Sequence, residues 1–301
     1  MTKSSLPFGS EFSPNTVDLP WLLEAARQSN GDKQVFENAV YEKYFQKNDT
    51  SESNKRTKAM NVKLALNAYG IIKGTQDTDL TDFGEGLYTS KDDETLYRHL
   101  AKHILLNLHG LTMVETIKDM QAGGSTLNLV TLRESLGERG IHFPPGGKHP
   151  SMMRLWLAKA GVFGAKNWQI SQAKVDDILG VTSEDIEALS GLNGEQRVFL
   201  RSLANIGDGN PRRSNEIAKL AAATYGVRFD EKKLPQKVLK PLENAGFIAL
   251  QKVTTGQGAK PFLVTPTDKL VAEVFEPILE QAEGWADKDL RGLLSRSSTK
   301  V

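Results

Sequence analysis

The chain of 301 residues contains no cysteine, and this absence excludes several classes of protein at once. Without cysteine there is no disulfide framework, no cysteine-based zinc site and no thiol nucleophile. The sequence also lacks an apolar run long enough to cross a membrane. Its first residues, MTKSSLPFGSEFSPNT, lack the apolar centre of a secretory signal. These absences favour a cytoplasmic protein, and the length suggests two or three domains.

Catalytic motifs are also scarce. His99 and His103 lie four residues apart near His109, but no carboxylate completes a metal-binding pattern such as H-E-x-x-H. Asp208 and the run Glu231-Lys232-Lys233 imitate a nuclease D…E-x-K pattern, yet the run falls at the start of a predicted helix, so we interpret it as coincidence. The sequence has no G-x-S-x-G, Walker A or Rossmann motif. It therefore predicts no catalytic residue, metal ion or cofactor.

One stretch, residues 230–266, combines a lysine-rich helical segment, a glycine and two apolar segments around a Gly-rich basic turn at 255–260. The same order occurs two more times along the chain. The three junctions read LALNAYGII (64–72), LWLAKAGVF (155–163) and PLENAGFIA (241–249). In each, a helix is expected to end at a glycine and a short hairpin to follow. The spacing predicts three similar domains, 1–90, 91–180 and 181–301.

Apolar spacing predicts helices elsewhere in the chain, after a polar start that we expect to be mobile. Their expected bounds are 19–28, 33–46, 55–69, 95–108, 113–121, 127–138, 151–160, 195–206, 215–225 and 267–281. Ser214 is expected to cap the helix that follows it. Pro241 lies inside the lysine-rich helix, where proline removes a hydrogen bond, so that helix is expected to kink or to run as two pieces.

Charge is distributed unevenly. Three windows, 53–76, 139–175 and 232–267, hold 17 of the 38 basic residues and one of the 37 acidic residues. The windows coincide with the three predicted helix–hairpin junctions, although the whole chain has a net charge of only +1. Lysine and arginine arrays of this kind are typical of proteins that contact a phosphate backbone, and acidic remainders restrict that contact to chosen faces.

A helix, a terminal glycine and a two-stranded hairpin in this order resemble the second half of a winged-helix domain. Over roughly residues 33–281 the chain resembles tandem winged-helix DNA-binding proteins, similar to the recognition regions of type IIS restriction endonucleases. The resemblance implies a mainly α fold with small β-hairpins, built as three tandem winged-helix domains (helix-turn-helix plus wing). It also implies double-stranded DNA as the partner, with the third helices in the major groove and the wings on the backbone. A nuclease domain or subunit of a bacterial restriction or defence system would then cut.

The expected DNA contacts lie on the third helices, before the second helix of the last domain, and on its wing. Gln236 suits an adenine edge, and Arg154 is the best choice for a base contact in the second domain, with phosphate contact nearly as good an interpretation. The expected DNA-binding residues are Lys55, Arg56, Lys63, Asn67, Lys148, His149, Ser151, Arg154, Arg212, Arg213, Lys233, Gln236, Lys237, Lys240, Lys252 and Lys260.

Two other functions fit the same residues. A transcriptional regulator or plasmid-replication initiator would use one or two winged helices and a dimerising helix, for which 267–281 is available. A protein-binding assembly factor would use winged helices without DNA, and any nucleic-acid binding would then depend little on salt. DNA binding through phosphates predicts the opposite, an affinity that falls steeply with salt.

Overall fold

The computed structural model describes residues 4–207, 209–253, 261–270 and 274–281. The described chain is mainly helical and has one three-stranded antiparallel sheet, which confirms the mainly α class with small β elements. Internal contacts divide the chain into two compact units, Met1–Ile178 (unit 1) and Leu179–Val301 (unit 2). The expected domains 1–90 and 91–180 thus fall in one unit, and the division into three domains stays a prediction.

Unit 1 is built from nine helices within its described residues, the last of which ends at its boundary. These are α1 (Leu19–Gln28), α2 (Lys33–Val40), α3 (Glu52–Ala68), α4 (Asp82–Tyr88), α5 (Asp93–Asn107), α6 (Gly110–Ala122), α7 (Leu129–Glu138), α8 (His149–Lys159) and α9 (Gln172–Leu179). A π-helical turn, Tyr41–Phe45, extends α2. The seven helices expected up to residue 160 are present, with ends shifted by a few residues. Helices α4 and α9 were not predicted.

Residues 4–17 are packed rather than mobile, so the expectation of a mobile start is wrong for them. Phe12 is fully buried, and its ring centroid lies 5.0 Å from that of Tyr69 and 4.7 Å from that of Trp156. The Trp156 indole N–H donates to the Phe12 carbonyl at 3.0 Å. Leu6 is buried as well, and the Ser5 amide donates to the His142 carbonyl. The N-terminal segment therefore joins the helix end of α3 to helix α8 through aromatic packing.

Unit 2 alternates helices with a small sheet. Its elements are α10 (Ser183–Ser190), α11 (Gly194–Ala204), β1 (Arg212–Arg213), α12 (Ser214–Tyr225), a π-helical turn (Pro235–Leu239), α13 (Lys240–Asn244), β2 (Ile248–Lys252) and β3 (Phe262–Pro266). The sheet order is β1-β3-β2, with Arg212 opposite Val264 and Leu250 opposite the same residue from the other side. Residues 274–281 are helical, within the expected closing helix.

Ser214 does not cap α12 as expected. Arg213 occupies the N-cap position without a side-chain hydrogen bond, and Ser214 is the first residue of the helix. The Ser214 hydroxyl instead accepts a hydrogen bond from the Phe262 amide at 3.1 Å. The serine therefore fastens the start of α12 to the start of β3, which is a long-range contact that sequence spacing does not encode.

The three predicted helix ends share one backbone geometry. Gly70, Gly161 and Gly246 have φ angles of 69°, 79° and 80°. In each junction the residue after the glycine donates its N–H to the carbonyl five positions back, as in Ile71 to Leu66. This left-handed ending suits glycine, because a side chain there would be strained.

The chain then closes each junction in the same way. Thr81, Ser171 and Thr267 donate their backbone N–H to Ile71, Val162 and Phe247, the residues that follow the three glycines. The hydroxyls of Thr81 and Thr267 also donate to the carbonyls of Gly70 and Gly246, at 2.6 and 2.7 Å. The repeated segments are therefore alike in hydrogen bonding and not only in sequence.

The hairpins between glycine and closure differ in size. In unit 1 they are reduced to single bridges, Ile72 to Leu80 and Phe163 to Ile170. In unit 2 the strands β2 and β3 form five residue pairs. The first copy also has a bridge between Asp32, which precedes α2, and Asp77. It parallels the pairing of β1, which precedes α12, with β3.

Candidate nucleic-acid interface

The helical segment before Gly246 buries one side and exposes the other. Its buried side consists of Leu234, Val238, Leu239 and Leu242. The opposite side carries Lys233, Gln236, Lys237 and Lys240, all of them exposed, and we call these four residues the basic face. Apolar spacing therefore dictates which lysines reach solvent, because the leucines and the valine occupy the core.

Pro241 lies near the start of α13, and a side chain from another helix compensates for the missing N–H of the proline. A proline has no N–H, so residue 241 cannot donate to the Lys237 carbonyl four positions back. The Gln196 side-chain amide on α11 donates to that carbonyl at 3.0 Å. Upstream, the Lys240 N–H donates to the Pro235 carbonyl in a wider π turn. The segment runs as two pieces, a π-helical turn and α13, but they meet without a gap between Leu239 and Lys240, and Pro241 lies inside α13.

Gln196 is held in place by its own capping box. Its Oε1 accepts from the backbone N–H of Asn193 at 3.0 Å, and its own backbone N–H donates to Asn193 Oδ1 at 3.0 Å. The spacing N-x-x-Q at 193–196 signals such a cap in the sequence. Nothing in the sequence indicated that the same side chain also supports the basic face.

Local acids partly neutralise the basic face. Lys233 lies 3.4 Å from a carboxylate oxygen of Asp230, and Lys240 lies 3.3 Å from one of Glu243. Among the described residues, no ion pair includes Lys237. Exposed pairs of this kind contribute little energy, so phosphate oxygens can compete for both lysines. Lys237 and Gln236 are the side chains most available to a ligand.

The sheet places further basic side chains in unit 2. Arg212 and Arg213 form β1, where Arg213 is exposed, and the exposed Lys252 ends β2. The Gly-rich turn and Lys260 lie outside the described residues. Their expected contribution to a wing stays a prediction.

In the first copy the basic side chains are engaged inside unit 1, and Lys63 has to be withdrawn as a DNA contact. Lys63 is buried, with its Nζ 2.5 Å from a Glu37 carboxylate oxygen. Its position on the helix turns it toward α2 and not toward solvent, because Val62 and Leu66 beside it are core residues. The buried lysine is balanced by the half-buried Glu37 carboxylate.

The other residues expected on α3 also have internal partners. The Arg56 guanidinium lies 3.9 Å from the Tyr41 ring centroid and donates to Asn38 at 2.6 Å. Lys55 donates to the Gln46 carbonyl, and the Asn67 amide donates to the Ile72 carbonyl. These contacts fasten α3 to its neighbours and leave Arg56 half-covered by an aromatic ring.

In the second copy Arg154 also makes internal contacts. Its guanidinium donates to the carbonyls of Gly164 and Asn167, at 3.1 and 2.9 Å, and lies 5.4 Å from the Trp168 ring centroid. Burial lowers the pKa of Arg154 below the usual arginine value, and the guanidinium stays charged. Arg154 thus ties α8 to the small hairpin through Nη1, and its expected base contact stays a prediction.

The remaining expected residues of α8 lie near its start. Lys148 is exposed and precedes the helix, while Ser151 is half-buried in its first turn. His149 packs edge-on near Phe8, with ring centroids 6.3 Å apart, and burial lowers its pKa. The N-terminal segment therefore covers the face of α8 on which His149 stands.

Acids just outside the basic windows explain why charge patterning overstated the positive surface. At least eight of the 17 basic side chains lie within ion-pairing distance of a carboxylate, and most of those acids lie beyond the window edges. The eight are Lys55, Arg56, Lys63, Lys73, Arg139, Lys174, Lys233 and Lys240. Most partners come from an adjacent turn or a neighbouring helix. A window of sequence therefore does not define a surface.

His103 of α5 and His109, the residue before α6, pack within unit 1, whereas His99 of α5 is exposed. His103 stacks on Phe83, with centroids 3.9 Å apart, and its Nε2 bonds to the Tyr69 carbonyl at 3.0 Å. Burial lowers the pKa of His103 and of His109. In the described part of the chain, His, Asp and Glu side chains form no group of three that could hold a metal ion.

Comparison of the chain with protein-family models, with curated proteins and with solved structures gave no match. Within the described ranges, every helix is too short or too polar to cross a membrane.

Proposed function

We propose that this chain binds double-stranded DNA through unit 2, as a winged-helix domain whose basic face enters the major groove. One observation carries the proposal. A helical segment with exposed Lys233, Gln236, Lys237 and Lys240 runs through Gly246 into a hairpin that pairs with β1. Helix, helix, hairpin and a strand that precedes the second helix are the parts of a winged helix, and lysines with an adjacent amide suit phosphates and base edges.

The two junctions in unit 1 support a tandem winged-helix architecture of the whole chain, because they share the glycine geometry and the closing hydrogen bonds. Their third helices differ in chemistry, since Lys63 and Arg154 are engaged internally. We therefore propose unit 2 as the main DNA-contacting part, and unit 1 as the part that extends the protein along the duplex or toward a partner. Such a protein suits the recognition module of a bacterial restriction or defence system.

Assembly with another protein is a second candidate function for unit 1. Val35 on α2 and Met60 on α3 are large apolar side chains that are 51% and 39% exposed. Exposed apolar side chains on α2 and α3 favour a protein partner there more than a phosphate backbone. This function and DNA binding by unit 2 are compatible.

Selection of bound duplexes from a random pool, at about 50 and about 200 mM salt, tests the main proposal. Four phosphate contacts predict an affinity loss of about 100-fold between these concentrations. A single enriched asymmetric motif would support a tandem reader, while an enriched palindrome with a dimeric protein would favour a transcriptional regulator or replication initiator. Absence of binding at the lower salt concentration would refute the DNA proposal.

A further inference from the structure

The backbone carbonyl of Lys237 accepts a hydrogen bond from a different helix. In a regular α-helix it would accept from the N–H of residue 241, but that residue is proline. The side-chain amide of Gln196 on α11 donates to this carbonyl at 3.0 Å instead, and we call this contact the inter-helix bond. It fixes to α11 the backbone of the same residue whose side chain is most available to a ligand.

Gln196 is itself held firmly in place. It is 8% exposed, and its side-chain Oε1 accepts from the backbone N–H of Asn193. Its own backbone N–H donates to Asn193 Oδ1, which completes the capping box at the start of α11. Both polar ends of the side-chain amide are therefore in use, so Gln196 transmits the position of α11 to the backbone at Lys237.

The segment that carries the basic face has an irregular backbone, so its direction is not fixed by a continuous α-helical ladder. A π-helical turn spans Pro235–Leu239, and a proline follows at position 241. Helices bend most readily at such features. Burial of Val238 and Leu239 decides which side faces the core, but apolar contacts are not directional. The inter-helix bond supplies the directional restraint.

The proline belongs to the copy that carries the basic face. When the three junctions are aligned by their glycines, Pro241 corresponds to Ala65 in α3 and to Trp156 in α8. Both of these residues have a backbone N–H that can bond within their own helix. In those two copies Lys63 and Arg154 are engaged inside unit 1. The inter-helix bond therefore accompanies the lysines that remain exposed.

We propose that Gln196 is a positioning residue for sequence discrimination, an inference that rests on the function proposed above. By holding the backbone at Lys237 against α11, it sets where Gln236 and Lys237 meet the base edges. Bonds to base edges require a narrow range of distance and angle. Attraction between lysines and phosphates acts over a longer range and tolerates small displacements. Gln196 thus determines which duplex is preferred more than how tightly any duplex is bound.

Two duplexes test this on the full chain, the one enriched by selection and a scrambled one of the same length and composition. In Gln196→Glu the carboxylate still accepts from Asn193 but cannot donate to the Lys237 carbonyl, so the capping box stays while the inter-helix bond is lost. The preference for the enriched duplex should fall about tenfold, and the added charge cancels in this ratio because it affects both duplexes. Fluorescence anisotropy measures both affinities. An unchanged preference, or a natural chain that binds both duplexes equally, would overturn the inference.

Further variants separate position from stability. Asn193→Ala is the matched control, because it removes one half of the capping box and leaves the inter-helix bond in place; it should keep the preference within about twofold. In Gln196→Glu/Pro241→Ala a new backbone N–H can satisfy the Lys237 carbonyl, but the bond to α11 is still absent, so the preference should stay low. Its recovery would refute a positioning role. Gln196→Met, which is neutral, replaces Gln196→Glu if circular dichroism shows that the latter is unfolded.

The inter-helix bond is measured separately, without DNA, by hydrogen exchange of side-chain amides in NMR spectra of the full chain. A side-chain amide proton of Gln196 should exchange at least about tenfold more slowly than those of the exposed Gln251. Equal exchange would refute the inference whatever the DNA result. A slow proton together with no binding of any duplex would show that the proposed function is wrong although the bond exists.

Discussion

The first and the last helix–glycine–hairpin junctions have the same backbone but different uses for their lysines. Lys63, near the end of α3, is buried against Glu37, whereas Lys237 projects from the basic face and is exposed. Both junctions end at a left-handed glycine and close on a threonine. A repeated backbone is thus compatible with lysines that stabilise the core in one copy and remain available to a ligand in another.

The second junction resembles the first, because its basic side chain is also engaged inside unit 1. Arg154 donates both of its bonds to carbonyls of the small hairpin that follows α8. In unit 2 the longer hairpin is held by β1 and by backbone pairing and needs no arginine from the helix. Because the sheet of unit 2 holds its own hairpin, the side chains of the preceding helical segment remain available for external contacts.

The largest expected effect is on DNA affinity, and it distinguishes the basic face of unit 2 from helix α3 of unit 1. Lys233→Ala/Lys237→Ala/Lys240→Ala should weaken duplex binding about 50-fold at about 0.1 M salt and flatten the salt dependence, because three phosphate-competent charges are lost. The corresponding triple variant of α3, Lys55→Ala/Arg56→Ala/Lys58→Ala, should weaken binding less than about threefold. Fluorescence anisotropy with labelled duplexes measures both, and equal losses would end the distinction between the two helices.

A second prediction concerns stability. Lys63→Met should lower the free energy of unfolding by about 2–3 kcal/mol, because it leaves the Glu37 carboxylate in a largely buried site without its partner. Lys237→Met should change that energy by less than about 0.5 kcal/mol, since the side chain is exposed. Urea denaturation followed by circular dichroism gives both values. Recovery of most of the loss in Lys63→Met/Glu37→Leu would confirm the pair as the cause, and an unaltered stability of Lys63→Met would refute its burial.

A smaller effect is expected where Gln196 replaces the hydrogen bond that Pro241 cannot make. Gln196→Met should cost about 1–2 kcal/mol of stability, because the Lys237 carbonyl loses its donor and the Asn193 N–H loses its acceptor. In a Pro241→Ala background the same change should cost less, since the new backbone N–H can reach that carbonyl. A double-mutant cycle in urea measures the coupling. Strict additivity would show that the two residues do not share one acceptor.

The last prediction uses pH to distinguish the units. All five histidines precede residue 178, and burial lowers the pKa of His103, His109 and His149. Below about pH 6.5 the unfolded state therefore binds more protons than the folded state, so the stability of unit 1 falls as the pH drops through that value. In unit 2 the lowered pKa values belong to Asp185 and Asp230, whose contributions are lost only below about pH 4.

Hydrogen exchange resolved by peptide, at pH 7.5 and 5.5 with correction for intrinsic rates, checks this difference. Amides of α5 and α6 should lose protection at the lower pH, while those of α11 and α12 should keep it. Equal loss in both units would contradict the assignment to buried histidines.

The sequence predicted what depends on neighbours along the chain and missed what depends on distant partners. Helix α1 was located to the residue, and the three glycine endings were read correctly, since both rest on spacing and on local backbone preferences. The site was predicted less well. The partner of Lys63 is 26 positions away in sequence, and the side chain that compensates for Pro241 comes from residue 196. The burial of Phe12 against Trp156 spans an even longer stretch.

The closing hydrogen bond of each junction has a consequence for protein engineering. Gly70 and Thr81 are separated by 11 positions, and Gly246 and Thr267 by 21, yet in both junctions the threonine hydroxyl donates to the glycine carbonyl. In both, the threonine N–H also donates to the carbonyl of the residue that follows the glycine. The loop between them can therefore change length while its two anchor points stay fixed. Replacing residues 71–80 with residues 247–266 would give the first copy a longer loop between the same two anchor residues, Gly70 and Thr81. The length of this loop thus becomes an adjustable property of the scaffold, independent of the helices that support it.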